Sequence, residues 1–160
     1  MGKKSIKENK IIYQISREEA GMTRSQASEA LVFMSDSRIE KIESEKCEPH
    51  PDEILAMAKA YKKPGLCNYY CSNECPIGQL HVPEIQAKGL AQITLEMLST
   101  INTLSKQKDR LVEITVDGKV SQDEMEDFIR IKGELDKMTT SVESLKLWID
   151  QMVADGKWLI

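Results

Sequence analysis

The chain has 160 residues, 41% hydrophobic, 30% charged and 5% aromatic, which suits a globular helical protein better than a sheet sandwich. No apolar run nears the roughly 20 residues of a membrane span. The lysine-rich start lacks the apolar stretch of a secretory signal, and four cysteines without one imply a cytoplasmic, reduced protein. The net charge of −4 excludes a uniformly basic nucleic-acid coat. Residues 1–65 hold twelve Lys and Arg against eleven Asp and Glu, the remainder ten against fifteen, so any nucleic-acid contact belongs to the first part.

Residues 8–62 carry a series of short helix signals. Ile11, Ile12, Ile15 and Ala20 predict an apolar face on a first helix that stops at Gly21. Thr23 caps a second, from Arg24 to about Leu31. A hydrophobic turn, Val32-Phe33-Met34, leads to Ser35, the cap of a third helix from Asp36 to Glu43. Glu48-Pro49-His50-Pro51 breaks the chain, and Asp52 starts a fourth helix from Glu53 to Tyr61. Two short helices about a tight turn, inside a bundle of helices, is the geometry that lays one helix in the major groove of DNA.

Arg17, Gly21-Met22-Thr23, Ala27, Ile39, Ile42-Glu43, Pro49 and the run from Ile54 to Tyr61 carry a resemblance in their order and spacing. Over about residues 6–65 the chain resembles the Xre/Cro-type helix-turn-helix domain of phage repressors and bacterial regulators. The resemblance implies an all-α fold: a small five-helix, lambda-repressor-like domain, here followed by a long antiparallel α-hairpin. It makes the third helix the reading helix. Ser35, Asp36, Ser37, Arg38, Glu40 and Lys41 then face outward, and Ile39 and Ile42 inward. Arg38 forks onto a guanine edge, and Ser35 and Ser37 reach phosphates or bases. Arg24 and Gln26 sit over the DNA backbone. Lys41, Lys46 and the N-terminal Lys3, Lys4 and Lys7 meet phosphates. The implied function is sequence-specific transcriptional regulation, as a repressor rather than an activator, on a palindromic operator.

Three departures stand out. The turn glycine of the family is missing and Val32-Phe33-Met34 is one residue longer than usual. Arg24 stands where Gln is usual, and Ser44-Glu45 replaces the glycine after the third helix. Asp36, Glu40, Glu43 and Glu45 would also repel phosphates. A protein–protein adaptor that keeps the fold without binding DNA therefore stays open.

Residues 66–83 form a Cys-rich connector. Cys67, Cys71 and Cys75 recur every fourth residue, so on a helix they form one ridge until Pro76 ends it. Joined to the helix-turn-helix pattern, the run from Cys67 to Gln79 resembles a narrower group of such proteins. Three readings stay open for it. With His81, or with Cys47 or His50, the thiolates can ligate zinc or an iron–sulfur cluster. They can be buried structural thiols. Two of them can form a redox pair that switches DNA affinity.

Residues 84–160 read as a hairpin of two long helices. The first follows Pro83 and carries Leu90, Ile93, Met97, Ile101, Leu104, Leu111 and Ile114 at three- and four-residue spacing, with Lys108 out of place. The turn is Val116 to Val120, where Gly118 can take the left-handed conformation. Ser121 and Glu124 form a capping box for the second helix, with Met125, Phe128, Leu135, Met138, Val142, Leu145, Ile149 and Met152 as its stripe, broken at Lys132. Each helix reaches about 45 Å at about 1.5 Å per residue. Leu95, Leu98, Ile131, Leu147 and Trp148 widen the stripes beyond one seam, which predicts a homodimer through residues 84–155 as a four-helix bundle. The rival arrangement folds the hairpin back onto the first domain. Trp158-Leu159-Ile160 is expected to dock on the bundle, being too short for a membrane anchor.

No enzyme constellation is present: His50 and His81 stand in proline-flanked connectors, and there is no phosphate loop or nucleophile elbow. Asp117 to Glu124 resembles half a calcium loop, but Glu113 and Thr115 stand where its other ligands belong, and a capped turn explains it fully.

Overall fold

The computed structural model describes residues 10–158, and among them there are eight α-helices and no strand. Local capping sets most of the boundaries in the first part. Gly21, with φ +72°, ends α1 (Ile12–Glu19). Thr23 and Gln26 close a reciprocal capping box on α2 (Arg24–Leu31), and the Ser35 side chain accepts the Arg38 N–H at the start of α3 (Asp36–Glu43). Pro51 opens α4 (Pro51–Ala60), whose His50 N–H donates to Glu53 Oε2 at 2.7 Å.

The stretch expected as a connector is itself helical. It forms α5 (Gly65–Asn73) and α6 (Pro76–His81), and Leu66 of α5 is buried among the residues of α1–α4. The chain divides into two compact units. One runs up to Glu84 and takes in Asp150 onwards; the other is Ile85–Ile149.

The first unit has a closed core. Ala27 and Leu31 of α2, Ile39 and Ile42 of α3, and Ile54 and Met57 of α4 are all buried. The face of α1 differs from the expected one. Ile15 is 41% exposed, whereas Tyr13, Gln14, Ser16 and Arg17 are buried. The reason is an ion pair. Arg17 Nε and Nη2 donate to the two carboxylate oxygens of Glu43, at 2.6 and 3.0 Å, and draw their side of the helix inward. At the far end of the chain, Gln151 Nε2 donates to the Lys62 carbonyl at 3.1 Å. Trp158 is exposed; Leu159 and Ile160 lie outside the described residues.

The second unit holds α7 (Leu90–Thr115) and α8 (Met125–Ala154) up to Ile149. Both helices start later than the sequence predicts. Gly89 is extended and delays the helix that Pro83 was expected to start. Ser121 gives its hydroxyl to Glu124 instead of accepting an N–H, so its capping box is half closed and a turn precedes Met125. Gly118 takes φ +71° in the link, and Arg110 Nε meets Asp127 Oδ2 at 2.7 Å between the two helices.

The inward face is also rotated from the expected stripe. Ile93, Thr100 and Ile114 of α7 and Ile131, Ser141 and Ser144 of α8 are buried. Leu90, Ile101, Met125, Leu135 and Val142, all expected to be inward, are exposed. Small side chains explain the choice. The hydroxyls of Thr100, Ser141 and Ser144 return to carbonyls of their own helices, so they can be buried without a partner across the seam.

Candidate nucleic-acid interface

The α2–turn–α3 segment is held by contacts that the local sequence supplies. Ser28 Oγ donates to the Met34 carbonyl at 2.7 Å, and Met34 fills the core beneath the turn. The Phe33 N–H reaches the Leu31 carbonyl at 2.6 Å across Val32, whose backbone lies at φ 57°, ψ −49°. This is a strained γ-turn on a β-branched residue. Where the family has a glycine, Val32 takes the positive φ, and it and Phe33 stand exposed in front of α3. Glu45 does the same after α3: with φ 57° it replaces the missing glycine, and Lys46 N–H closes onto the Lys41 carbonyl.

Asp36, Ser37, Glu40 and Lys41 lie on the exposed side of α3, and Ile39 and Ile42 on the buried side. Ser35 is exposed but its oxygen already caps the helix. Gln26 is exposed, with its carbonyl oxygen accepting the Thr23 N–H. Arg24 is half exposed and shares Glu43 with Arg17, its Nε 2.8 Å from Oε2. Lys46 is exposed; Lys3, Lys4 and Lys7 lie outside the described residues.

Arg38 is engaged differently from the expectation. Its Nε and Nη2 fork onto Glu53 of α4, both at 2.7 Å, rather than projecting freely from α3. Nη1 also reaches Cys47 Sγ and Nη2 the Glu48 carbonyl, each at 2.9 Å. The guanidinium holds the Glu53 carboxyl below the usual carboxylate range. Reading guanine with this side chain requires that pair to open. Neither Glu53 nor Glu43 is marked as a partner by sequence spacing, because the pairs span fifteen and more residues.

Residues 15–65 match the family model described as helix-turn-helix. This segment is an Xre/lambda-repressor-like helix-turn-helix domain. No curated protein and no solved structure matches the chain. The domain is of the kind found in DNA-binding transcription regulators.

Beside the helix-turn-helix domain, the thiols do not gather into a metal centre. Among the described residues no three His, Cys, Asp or Glu side chains come together to hold a metal ion. Cys67 and Cys71 lie one turn apart on α5, but the helix stops at Asn73, and Cys75 becomes the cap of α6, off the ridge. His81 is exposed at the end of α6. The expected ligand set Cys67, Cys71, Cys75 and His81 is thus not assembled, because Pro76 starts a new helix in a new direction. The Cys-Pro-Ile-Gly run instead makes a tight corner. A Cβ on Gly78 would strike the Cys71 carbonyl, so glycine lets α6 cross α5 at that point. The four cysteines are free thiols, and burial pushes the Cys67 thiol up. Among the described residues no helix is long and apolar enough to cross a membrane.

Proposed function

We propose that the protein is a sequence-specific transcriptional regulator, a repressor that binds a palindromic operator in the cytoplasm as a homodimer. The observation that carries this reading is the exposed side of α3, with Ser37 and Lys41, in a domain that matches the helix-turn-helix family. Ser37 and Ser35 meet base edges, and Lys41, Arg24 and Gln26 meet the DNA backbone. Arg38 orients α3 through Glu53 in the free protein. Dimerisation through residues 84–155 is supported by the exposed apolar residues Leu98 and Ile101 of α7 and Leu135 and Val142 of α8. Two copies of α3 about 34 Å apart would meet successive major grooves.

One observation favours the adaptor reading. Asp36 and Glu40 are exposed on α3, and Arg38 is turned onto Glu53, which leaves few cations on that face. Selection of the full-length chain against a randomised duplex library, under reducing conditions at low and physiological salt, separates the two. The expected result is an enriched palindrome that is lost in the double variant Ser37→Ala/Lys41→Ala; both positions are exposed, so the fold is kept. Lys41→Ala alone should weaken all sequences alike and reduce the salt dependence by about one phosphate contact per subunit. No enrichment at either salt, with the dimer intact, would overturn the DNA reading in favour of a protein partner.

A further inference from the structure

The turn in front of α3 holds two apolar side chains in solvent: Val32 is 89% exposed and Phe33 61%. Val32 is also strained, since its φ of 57° closes the γ-turn in which the Phe33 N–H donates to the Leu31 carbonyl. Neither cost is offset inside the domain. Glycine would take this backbone without strain. A polar residue at position 33 would leave the core as it is, because of the three turn residues Met34 alone is buried. Strain and apolar exposure kept together, with no packing reason, point to a contact made outside the domain.

The turn is also held still. Ser28 Oγ donates to the Met34 carbonyl, Met34 is anchored in the core, and Ser35 caps the helix that follows. Phe33 therefore presents its ring from a fixed backbone, two residues ahead of the cap, at the end of α3 that a helix-turn-helix domain leads towards base edges in the major groove. From Val32 to Ser37 the chain carries no cation, and Arg38 is turned onto Glu53, so this end of α3 has no charge with which to hold a phosphate.

We infer that Phe33 determines specificity in the proposed operator by packing against a thymine C5-methyl group in each half-site, with Val32 setting the turn that presents the ring. Phenylalanine has no hydrogen-bonding group, and among the groups that base pairs expose in the major groove the thymine methyl is the apolar one. The contact rests on the regulator reading above and adds to it a base preference set from outside α3.

The test uses the full-length chain and the palindrome enriched from the randomised library. Each thymine of the half-site is replaced in turn by deoxyuridine, which keeps the base pair and removes the methyl. One such replacement is expected to weaken binding about fourfold per half-site, the worth of one buried methyl group. In Phe33→Ala the same replacement should change nothing, and in Phe33→Leu, which keeps an apolar side chain, most of the discrimination should remain. Both variants should melt as the parent does, because the residue is exposed. An enriched palindrome in which no thymine replacement matters would overturn the inference, leave the regulator reading standing and assign the exposed turn to a protein partner. Methyl dependence that persists in Phe33→Ala would overturn it as well. No enriched palindrome at all would overturn both.

Discussion

In the first unit eleven residues, from Tyr13 to Leu66, close one apolar core around which α1 to α5 are fixed. In the second unit the buried apolar residues among those described are Ile93, Ile114 and Ile131, and hydroxyl side chains occupy much of the remaining seam. The first unit also buries an ion pair, Arg17 with Glu43, whose side chains are 6% and 1% exposed. The second keeps its ion pairs at the surface and leaves a row of leucine, isoleucine and valine in solvent. The difference shows two ways of being folded. One unit closes a core of its own, with Val32, Phe33, Ile77 and Leu80 left exposed at its turns and edges. The other leaves apolar residues exposed along both long helices, the face on which the proposed dimer rests.

The largest effect expected from breaking that contrast is at the buried pair. Glu43→Ala leaves Arg17 buried without its carboxylate and should cost about 4 kcal/mol in urea unfolding of the first unit. A loss below about 1 kcal/mol would mean that Arg17 reaches water, and that the core is less closed than described. Next is the spare face of the long helices. Ile101→Glu/Leu135→Glu should weaken the proposed dimer at least a hundredfold, about 3 kcal/mol, and remove the concentration dependence of melting. An unchanged sedimentation profile would place the dimer contact elsewhere.

Smaller effects sharpen the comparison inside the first unit. The Glu53 carboxyl is held below its ordinary 4.5 by Arg38, so the pair adds stability above that range and loses it as pH falls through the lowered value. Glu53→Gln should cost about 2 kcal/mol at neutral pH and flatten the acid limb of a stability–pH profile. An unchanged limb would show that Arg38 spends its time elsewhere, free for DNA. Smallest is the turn. Val32→Gly removes the strain of a β-branched residue at φ 57° while losing no buried surface, and should raise stability by about 1 kcal/mol. A decrease would mean that the turn holds no such strain.

Much of the first unit is legible in its sequence. The bounds of α2 and α3 follow from Thr23, Ser35 and the residues after them, because a cap acts within one turn of the helix. The family resemblance also rests on this segment, where order and spacing are dense in signal. The long helices are less readable. Their three–four spacing predicts that they form, but apolar residues lie on more than one side, and periodicity alone does not choose the inward one. The proposed binding face was legible as a set of positions on α3 and not as a set of free side chains. Arg38, the outward arginine by spacing, is held by a carboxylate fifteen residues away.

The sequence by itself determined that the protein is helical, where α2 and α3 begin and end, and which helix of the first unit presents polar residues outward. These are consequences of contacts within about four residues along the chain. Tertiary structure decided that Arg38 pairs with Glu53 and Arg17 with Glu43, that Gly78 turns the cysteine run into a corner, and that Thr100, Ser141 and Ser144 face inward in place of Ile101 and Val142. Those outcomes depend on how closely helices can approach and on which charges end up buried together, and neither is encoded in the local pattern.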